Sequence, residues 1–205
     1  MKKKKLSYII EYFKEGKILS LISDAGTPVL SDPGNLIINE CIKNDIKIYT
    51  VPGPSAVSAA VSMSGFGEKF LFYGFLPKTE NELSKLLKSL DSESYSLVFF
   101  VPAIKINFYI KQFKKYFSDR EIFIAREMTK KYETYYRASI NKMNIFKTQL
   151  KGELTIVISE NNNKTQIFDQ EKIVNKIKKY LKKYSLKDTV NIILETEKIN
   201  KKKNL

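Results

Sequence analysis

Two breaks rich in proline and glycine, each placed directly after a short apolar run, constrain this chain more than any other feature. "SDAGTPVLSDPG" (23–34) follows "KILSLI" (17–22), and "PGPSA" (52–56) follows "IKIYTV" (46–51). Apolar runs of this length, bounded by turn residues, predict buried strands over 17–23 and 46–51. Helical spacing surrounds them. Leu6, Ile9, Ile10 and Phe13 predict a helix stopped at Gly16, "NLIINECIKN" (35–44) a second, and the small-residue run "SAVSAAVSMS" (55–64) a third. Alternation of this kind belongs to parallel α/β units, whose right-handed crossovers set the loops after the strands at one sheet edge. The two breaks are therefore expected to be neighbours lining a ligand crevice.

After "GFGE" (65–68) the texture changes, which predicts a domain boundary there. Strands are expected over 70–77, 96–102, 120–127 and 152–159, with helices over 79–90 and 106–117. From about 161 the chain is lysine-rich, with helices expected near 170–184 and 187–198. The 205 residues, 43% of them hydrophobic, suffice for a sizeable core. A net charge of +14 suits an RNA partner, and equally a solvated lysine surface under AT-rich codon bias. With no histidine, His-based triads and His-ligated metal sites drop out; no metal is expected. The single Cys41 allows no internal disulfide and fits a reducing cytoplasm. No apolar run approaches the ~20 residues that span a bilayer, so no membrane partner is expected.

Neither a GxxxxGK[ST] phosphate loop nor a GxGxxG fingerprint occurs, so the ligand need not be a polyphosphate. Asp24 has the chemistry to accept from a ribose hydroxyl or a ligand ammonium group, and Asp24 and Asp32 equally suit turn or N-cap positions. Ser55, before the third helix, either caps that helix or donates to a ligand. The residues alone lead to a small-molecule site at a strand-end crevice.

A resemblance carries the reading further. "SDAGTPVLSDPG", "VPGPSAVSAAVSMSGF" (51–66), "YGFLPK" (73–78), "AREMTKKYET" (125–134) and "KGELTIVI" (151–158) resemble, in order and spacing, the ribosomal small-subunit methyltransferase I family of the tetrapyrrole methylase-like superfamily. The resemblance covers residues 5 to 160, with a weaker echo to the end. It implies an α/β, two-domain, class III methyltransferase fold. Residues 1–66 would form the cofactor-binding domain, 67–160 a second α/β domain, and 161–205 a helical tail. It also implies S-adenosylmethionine as cofactor, methylation of a cytidine ribose 2′-hydroxyl in the 16S rRNA of the small ribosomal subunit, and a homodimer. By motif, Ser23, Asp24, Ala25, Gly26, Thr27 and Pro28 would form one wall of the cofactor site, and Pro54, Ser55 and Ala56 a second. Phe75, Leu76 and Pro77 would lie at the domain junction, with Leu154 and Thr155 closing the far side. Arg126, Glu127, Thr129 and Lys130 would face cofactor or RNA, and Arg126, Lys130 and Lys131 are the expected RNA contacts. Such a cluster at a strand end also makes a salt-bridged turn; the family position is what favours function. Asp24, Glu127 and Lys130 (the last only with a lowered pKa) are the candidate bases for the 2′-hydroxyl proton.

The chain departs from the family pattern in three places. Members carry a first strand, a "TPIGNL"-like loop and an "AEDTR"-like segment before the counterpart of residue 1, so the first strand region is expected to be missing; a split reading frame with an upstream-encoded fragment supplying the strand, a misassigned start and a decaying remnant are the three competing explanations. "FFVPAIKI" (99–106) stands where relatives have a Tyr-Glu-Ser-Pro-His-Arg-like segment, and Tyr73 stands where Glu is usual. A tetrapyrrole methyltransferase and a non-catalytic RNA-binding remnant are the competing readings.

Overall fold

Alternation with a period of two builds the centre of the molecule. The structure is a computed structural model that describes residues 3–24, 26–161 and 170–196. Five strands, β1 (Phe70–Phe75), β2 (Ser96–Pro102), β3 (Glu121–Arg126), β4 (Thr134–Ser139) and β5 (Glu153–Ile158), form one sheet in the order β1-β2-β5-β3-β4. β1 and β2 run parallel, whereas β2·β5, β5·β3 and β3·β4 are antiparallel. Leu97, Phe99, Val101, Ile122, Ile124, Leu154, Ile156 and Ile158 point to one face. There they meet Leu83 and Leu87 of α4 (Glu80–Leu90) and Ile110 and Phe113 of α5 (Ile106–Tyr116). The intervening residues Val98, Phe123, Ala125 and Val157 point the other way, onto Val57 and Ala60 of α3 (Ala56–Ser64). With both faces covered, β2, β3 and β5 read as continuous apolar runs.

Arg120, 2% exposed, ties the end of α4 to this sheet. Its guanidinium donates to the carbonyls of Leu90, Asp91, Glu93 and Ser159 and lies over the Phe117 ring. Carbonyls at the end of α4, in the loop after it and just beyond β5 (Glu153–Ile158) thus converge on one planar donor.

The expected strands at 17–23 and 46–51 do not form. Both segments lie outside the sheet, and Ile18 (95% exposed), Ile22 (84%) and Val51 (91%) face solvent. A strand exists only by pairing, and no described strand lies alongside either segment. The two helices expected beside them are present as α1 (Lys3–Lys14) and α2 (Asn35–Lys43), with Ile10 and Cys41 buried, and irregular chain stands where the two strands were expected. β4 was not expected from the sequence. The remaining strands and helices of residues 1–160 fall within one to three residues of the expected bounds.

The chain divides into two compact units, residues 1–162 and 163–205. The second contains α6 (Gln170–Tyr180), which stops short of the expected 184, and α7 (Leu186–Thr196), which begins one residue before the expected 187; 197–198 lie outside the described residues. Ser185 begins α7 with a reciprocal cap: its hydroxyl donates to the Asp188 carboxylate and accepts from the Asp188 N–H.

Candidate functional site

The segments singled out in the second half of the chain meet in one row across the sheet. Phe75 pairs with Phe100, Phe100 with Thr155, Thr155 with Ala125, and Ala125 with Tyr135. This row joins the carboxyl ends of β1, β2 and β3 to the start of β5. "GFLP", "AREM" and "KGELT" therefore lie at the same end of the sheet. Opposed residues share a face, so the row projects toward the α3 side. Phe75, half exposed, packs edge-to-face on Phe100 at 5.4 Å, and Met128 packs into the apolar cluster beneath α3.

The direction of α3 brings the first half of the chain to this row. Arg137 of β4 donates to the carbonyls of Ser64 and Met63 at the carboxyl end of α3, with its guanidinium 4.2 Å above the Phe123 ring. Just beyond, the Gly67 N–H donates to the carboxylate of Glu160, which also accepts from Ser96, at the opposite end of the sheet. The carboxyl end of α3 thus points away from the row, and the Pro54–Ala56 turn points toward it. Ser55 occupies the N-cap position in extended conformation, but its side chain makes no capping bond, so the capping role is not realised.

The loop 23–34 spans these parts. The Thr27 hydroxyl donates to the Pro54 carbonyl (3.4 Å), and Gly26 lies against the same oxygen. The two breaks are neighbours, as expected, although the strands expected to place them there are absent. Farther along, the Ser31 hydroxyl lies 2.9 Å from where a Cβ on Gly74 would sit, and Gly74 has φ +88°. Only glycine lets the loop approach β1 here. Ser23 closes the start of the loop by donating to the Gly26 carbonyl (3.0 Å), and Asp24 is exposed. Asp32 takes a turn position, its N–H directed to the Val29 carbonyl, while Gly34 is the residue before α2. Ala25 lies outside the described residues.

The remaining expected site residues separate into two groups. Leu76 and Leu154 are buried in the core on the α4/α5 side, away from the row's open face, whereas Thr155 (5% exposed) belongs to the row itself. Pro77 is half-buried, and its carbonyl accepts from the Tyr109 hydroxyl (3.4 Å).

The "AREMTK" residues form a salt-bridged turn. Glu127 and Thr129 have left-handed φ, +49° and +64°. The Glu127 carboxylate accepts from the Glu153 N–H (2.9 Å) and pairs with Lys130 (3.3 Å), which also reaches Glu153 (3.2 Å). The Glu153 N–H, followed by the Lys130 ammonium, holds the Glu127 carboxyl below the usual glutamate range. Glu153 and Glu127 push Lys130 upward, opposite to what a lysine base requires. Arg126 donates to the Lys151 carbonyl (3.0 Å) and approaches the Thr134 hydroxyl. Lys131 lies over the Tyr132 ring.

Sequence reasoning missed Phe100, Met128 and Arg137. The first lies in a strand that is apolar on both faces, so nothing in the local pattern marks out its side. Arg137 sits in the strand that was not expected.

Residues 2–144 match the family model described as tetrapyrrole (corrin/porphyrin) methylases. The chain is 42% identical to a ribosomal RNA small subunit methyltransferase I of Thermotoga maritima over 160 residues, covering 77% of this chain and 72% of that one. It is 35% identical to the protein of the same name from Buchnera aphidicola, covering 98% and 73%. Among solved structures, the methyltransferase CobJ superposes with a TM-score of 0.57 at 16% identity, covering 76% of this chain and 70% of that chain. A uroporphyrin-III C-methyltransferase from Thermus thermophilus gives 0.51 at 13%, covering 77% and 71%. At these identities the structural likeness concerns the fold alone.

Proposed function

The chain belongs to the tetrapyrrole methylase family, and within it to the ribosomal RNA small subunit methyltransferase I proteins; on that premise we propose that it methylates a cytidine ribose 2′-hydroxyl in 16S rRNA, using S-adenosylmethionine. The observation carrying this reading is the convergence of the 23–34 loop, the Pro54–Ala56 turn and the Phe75–Phe100–Thr155 row. Together they offer an apolar shelf under a loop of main-chain donors and acceptors, the mixed surface an adenosine with an amino-acid tail needs. The cofactor, when bound, supplies an electrophilic methyl group. Phe75 and Phe100 would exclude water from beside it, and the Ser23–Pro28 and Pro54–Ala56 walls would fix its orientation. Residues 1–66 serve as the cofactor half and 67–160 as the other wall.

Of the three candidate bases, Glu127 and Lys130 neutralise one another, and Lys130 is held protonated. Asp24 stands outside that cluster, so its carboxylate oxygen takes the 2′-hydroxyl proton in this reading. Residues 17–23 and 46–51 accept a strand from beyond these 205 residues, and the working form is a homodimer.

The test is methyl transfer from labelled S-adenosylmethionine to undermethylated small subunits, with uroporphyrinogen as the competing acceptor. Asp24→Asn is expected to slow transfer by roughly 100-fold, the usual contribution of a positioned base. Transfer to the porphyrin and not the RNA would sink the reading; full activity of the variant would remove Asp24 from its role.

A further inference from the structure

The residues expected to meet RNA in the "AREMTK" segment are largely engaged within the protein: Arg126 at the Lys151 carbonyl, Lys130 between two carboxylates. A different surface has the properties that RNA requires. A groove of about 560 Å³ lies between β4 and residues 142–147, lined by Tyr135, Tyr136, Arg137, Lys142, Ile145, Lys147 and their neighbours. Of the lining residues Lys142 and Lys147 are exposed cations and none is acidic, while the Arg137 guanidinium is turned to the carbonyls at the end of α3. β4 is the last strand of the sheet, and among the described residues it pairs only with β3, which leaves the other side of its backbone without a strand partner there. Glu133, the acid beside the groove, turns its carboxylate to the Thr129 N–H and the Tyr135 hydroxyl.

The groove is built rather than incidental. Asn107 of α5 binds Phe146 twice through one side-chain amide, donating to its carbonyl and accepting from its N–H, both at 2.8 Å. Tyr136 packs edge-to-face on Phe146 at 4.9 Å, and Met143 is buried beneath. On the other side of β4, Tyr135 stacks on Phe123 (5.8 Å, 19°). These contacts fix residues 142–147 and the tyrosines in place before any partner arrives. Lys142 and Lys147 remain exposed, as does Ile145 (52%).

We infer that this groove is the docking surface for a single-stranded segment of the substrate RNA. Lysines would neutralise phosphates, and exposed ring edges and Ile145 would meet bases, as unpaired nucleotides require. The inference rests on the rRNA reading above and locates the substrate's path on the protein. Charge decides against an apolar peptide, because a cationic groove without acids repels nothing in RNA and leaves lysines unpaired against a neutral chain.

The test compares the full chain with K142E/K147E and with K85E/K88E, a control pair exposed on α4. A fluorescent single-stranded RNA of roughly 12 nucleotides is titrated at several salt concentrations. The groove variant is expected to bind at least ~10-fold more weakly, with a salt slope shallower by about 1.4, at roughly 0.7 per phosphate lost. The control pair is expected to change affinity less than about 3-fold. Equal weakening by both variants, or none by either, overturns the inference. So does unchanged RNA binding with altered sedimentation, which would make the groove a contact between copies. Cofactor binding, followed separately by calorimetry, distinguishes the two levels. A wild-type chain that binds RNA through this groove but not S-adenosylmethionine would refute the methyltransferase reading and leave the groove standing.

Discussion

Gly152 and Glu127 show how one residue of the site's turn depends on the bare backbone of another. Gly152 has φ +97°, and a Cβ there would lie 2.5 Å from the Glu127 carboxylate. The carboxylate can therefore tuck under the start of β5 only because residue 152 has no side chain. Gly152→Ala is expected to destabilise the chain by about 1–3 kcal/mol through the left-handed backbone, and further by displacing Glu127 from the Glu153 N–H. Adding Glu127→Ala should remove the second part, so urea unfolding of the double-mutant cycle should fall short of additivity. Full additivity would show that the two do not interact. Glu127 also makes the turn acid-sensitive. Its folded pKa is depressed, so its stabilisation is complete above the unfolded value and lost as pH falls through the folded one. That the sequence showed the polar cluster but not its pairing is a matter of distance: Glu153 lies 26 residues from Glu127, beyond any local pattern.

At the scale of elements, α3 is the part on which the site depends. It bridges the Pro54–Ala56 turn and the sheet, and Arg137 anchors its carboxyl end through two carbonyls and the Phe123 ring. Arg137→Leu keeps apolar contact with Phe123 but loses both charge-assisted bonds, worth about 1.5–3 kcal/mol each at most. Hydrogen exchange is expected to quicken at the last turn of α3, and S-adenosylmethionine affinity to fall with it. Unchanged exchange there would mean that packing of Val57 and Ala60 alone holds the helix. The elements that could be read from the sequence were those whose partners lie on both faces: β2, β3 and β5 are apolar throughout because α3 covers one side and α4 and α5 the other. β4 escaped because it is an edge strand. Its exposed Thr134, Tyr135 and Arg137 and half-buried Tyr136 give no clear alternation. The apolar runs at 17–23 and 46–51 erred in the opposite direction, since local pattern reports a wish for burial and not the presence of a partner.

For the molecule as a whole, those two runs carry the most exposed large apolar side chains among the described residues. Ile18, Ile22, Tyr49 and Val51 are each more than four-fifths exposed, and covering a side chain of this kind is worth about 1.5–3 kcal/mol. Extended chain with apolar side chains and open backbone groups is the surface that strand addition completes. The loops 23–34 and 52–56 grow directly out of these segments, so whatever orders the segments also orders the two walls of the cofactor site. The chain spans about 72% of the Thermotoga maritima relative. A polypeptide comprising the part of that relative outside the matched region is the natural probe. Its addition is expected to slow amide exchange across 17–23 and 46–51 and to tighten S-adenosylmethionine binding, with both effects saturating at the same ratio of peptide to chain. Protection that rises with the concentration of the chain alone would assign the strand to a second copy. Exchange left unchanged by either would mean that these segments stay unpaired, and the 23–34 wall would then have to be ordered by the ligand itself, at the expense of affinity.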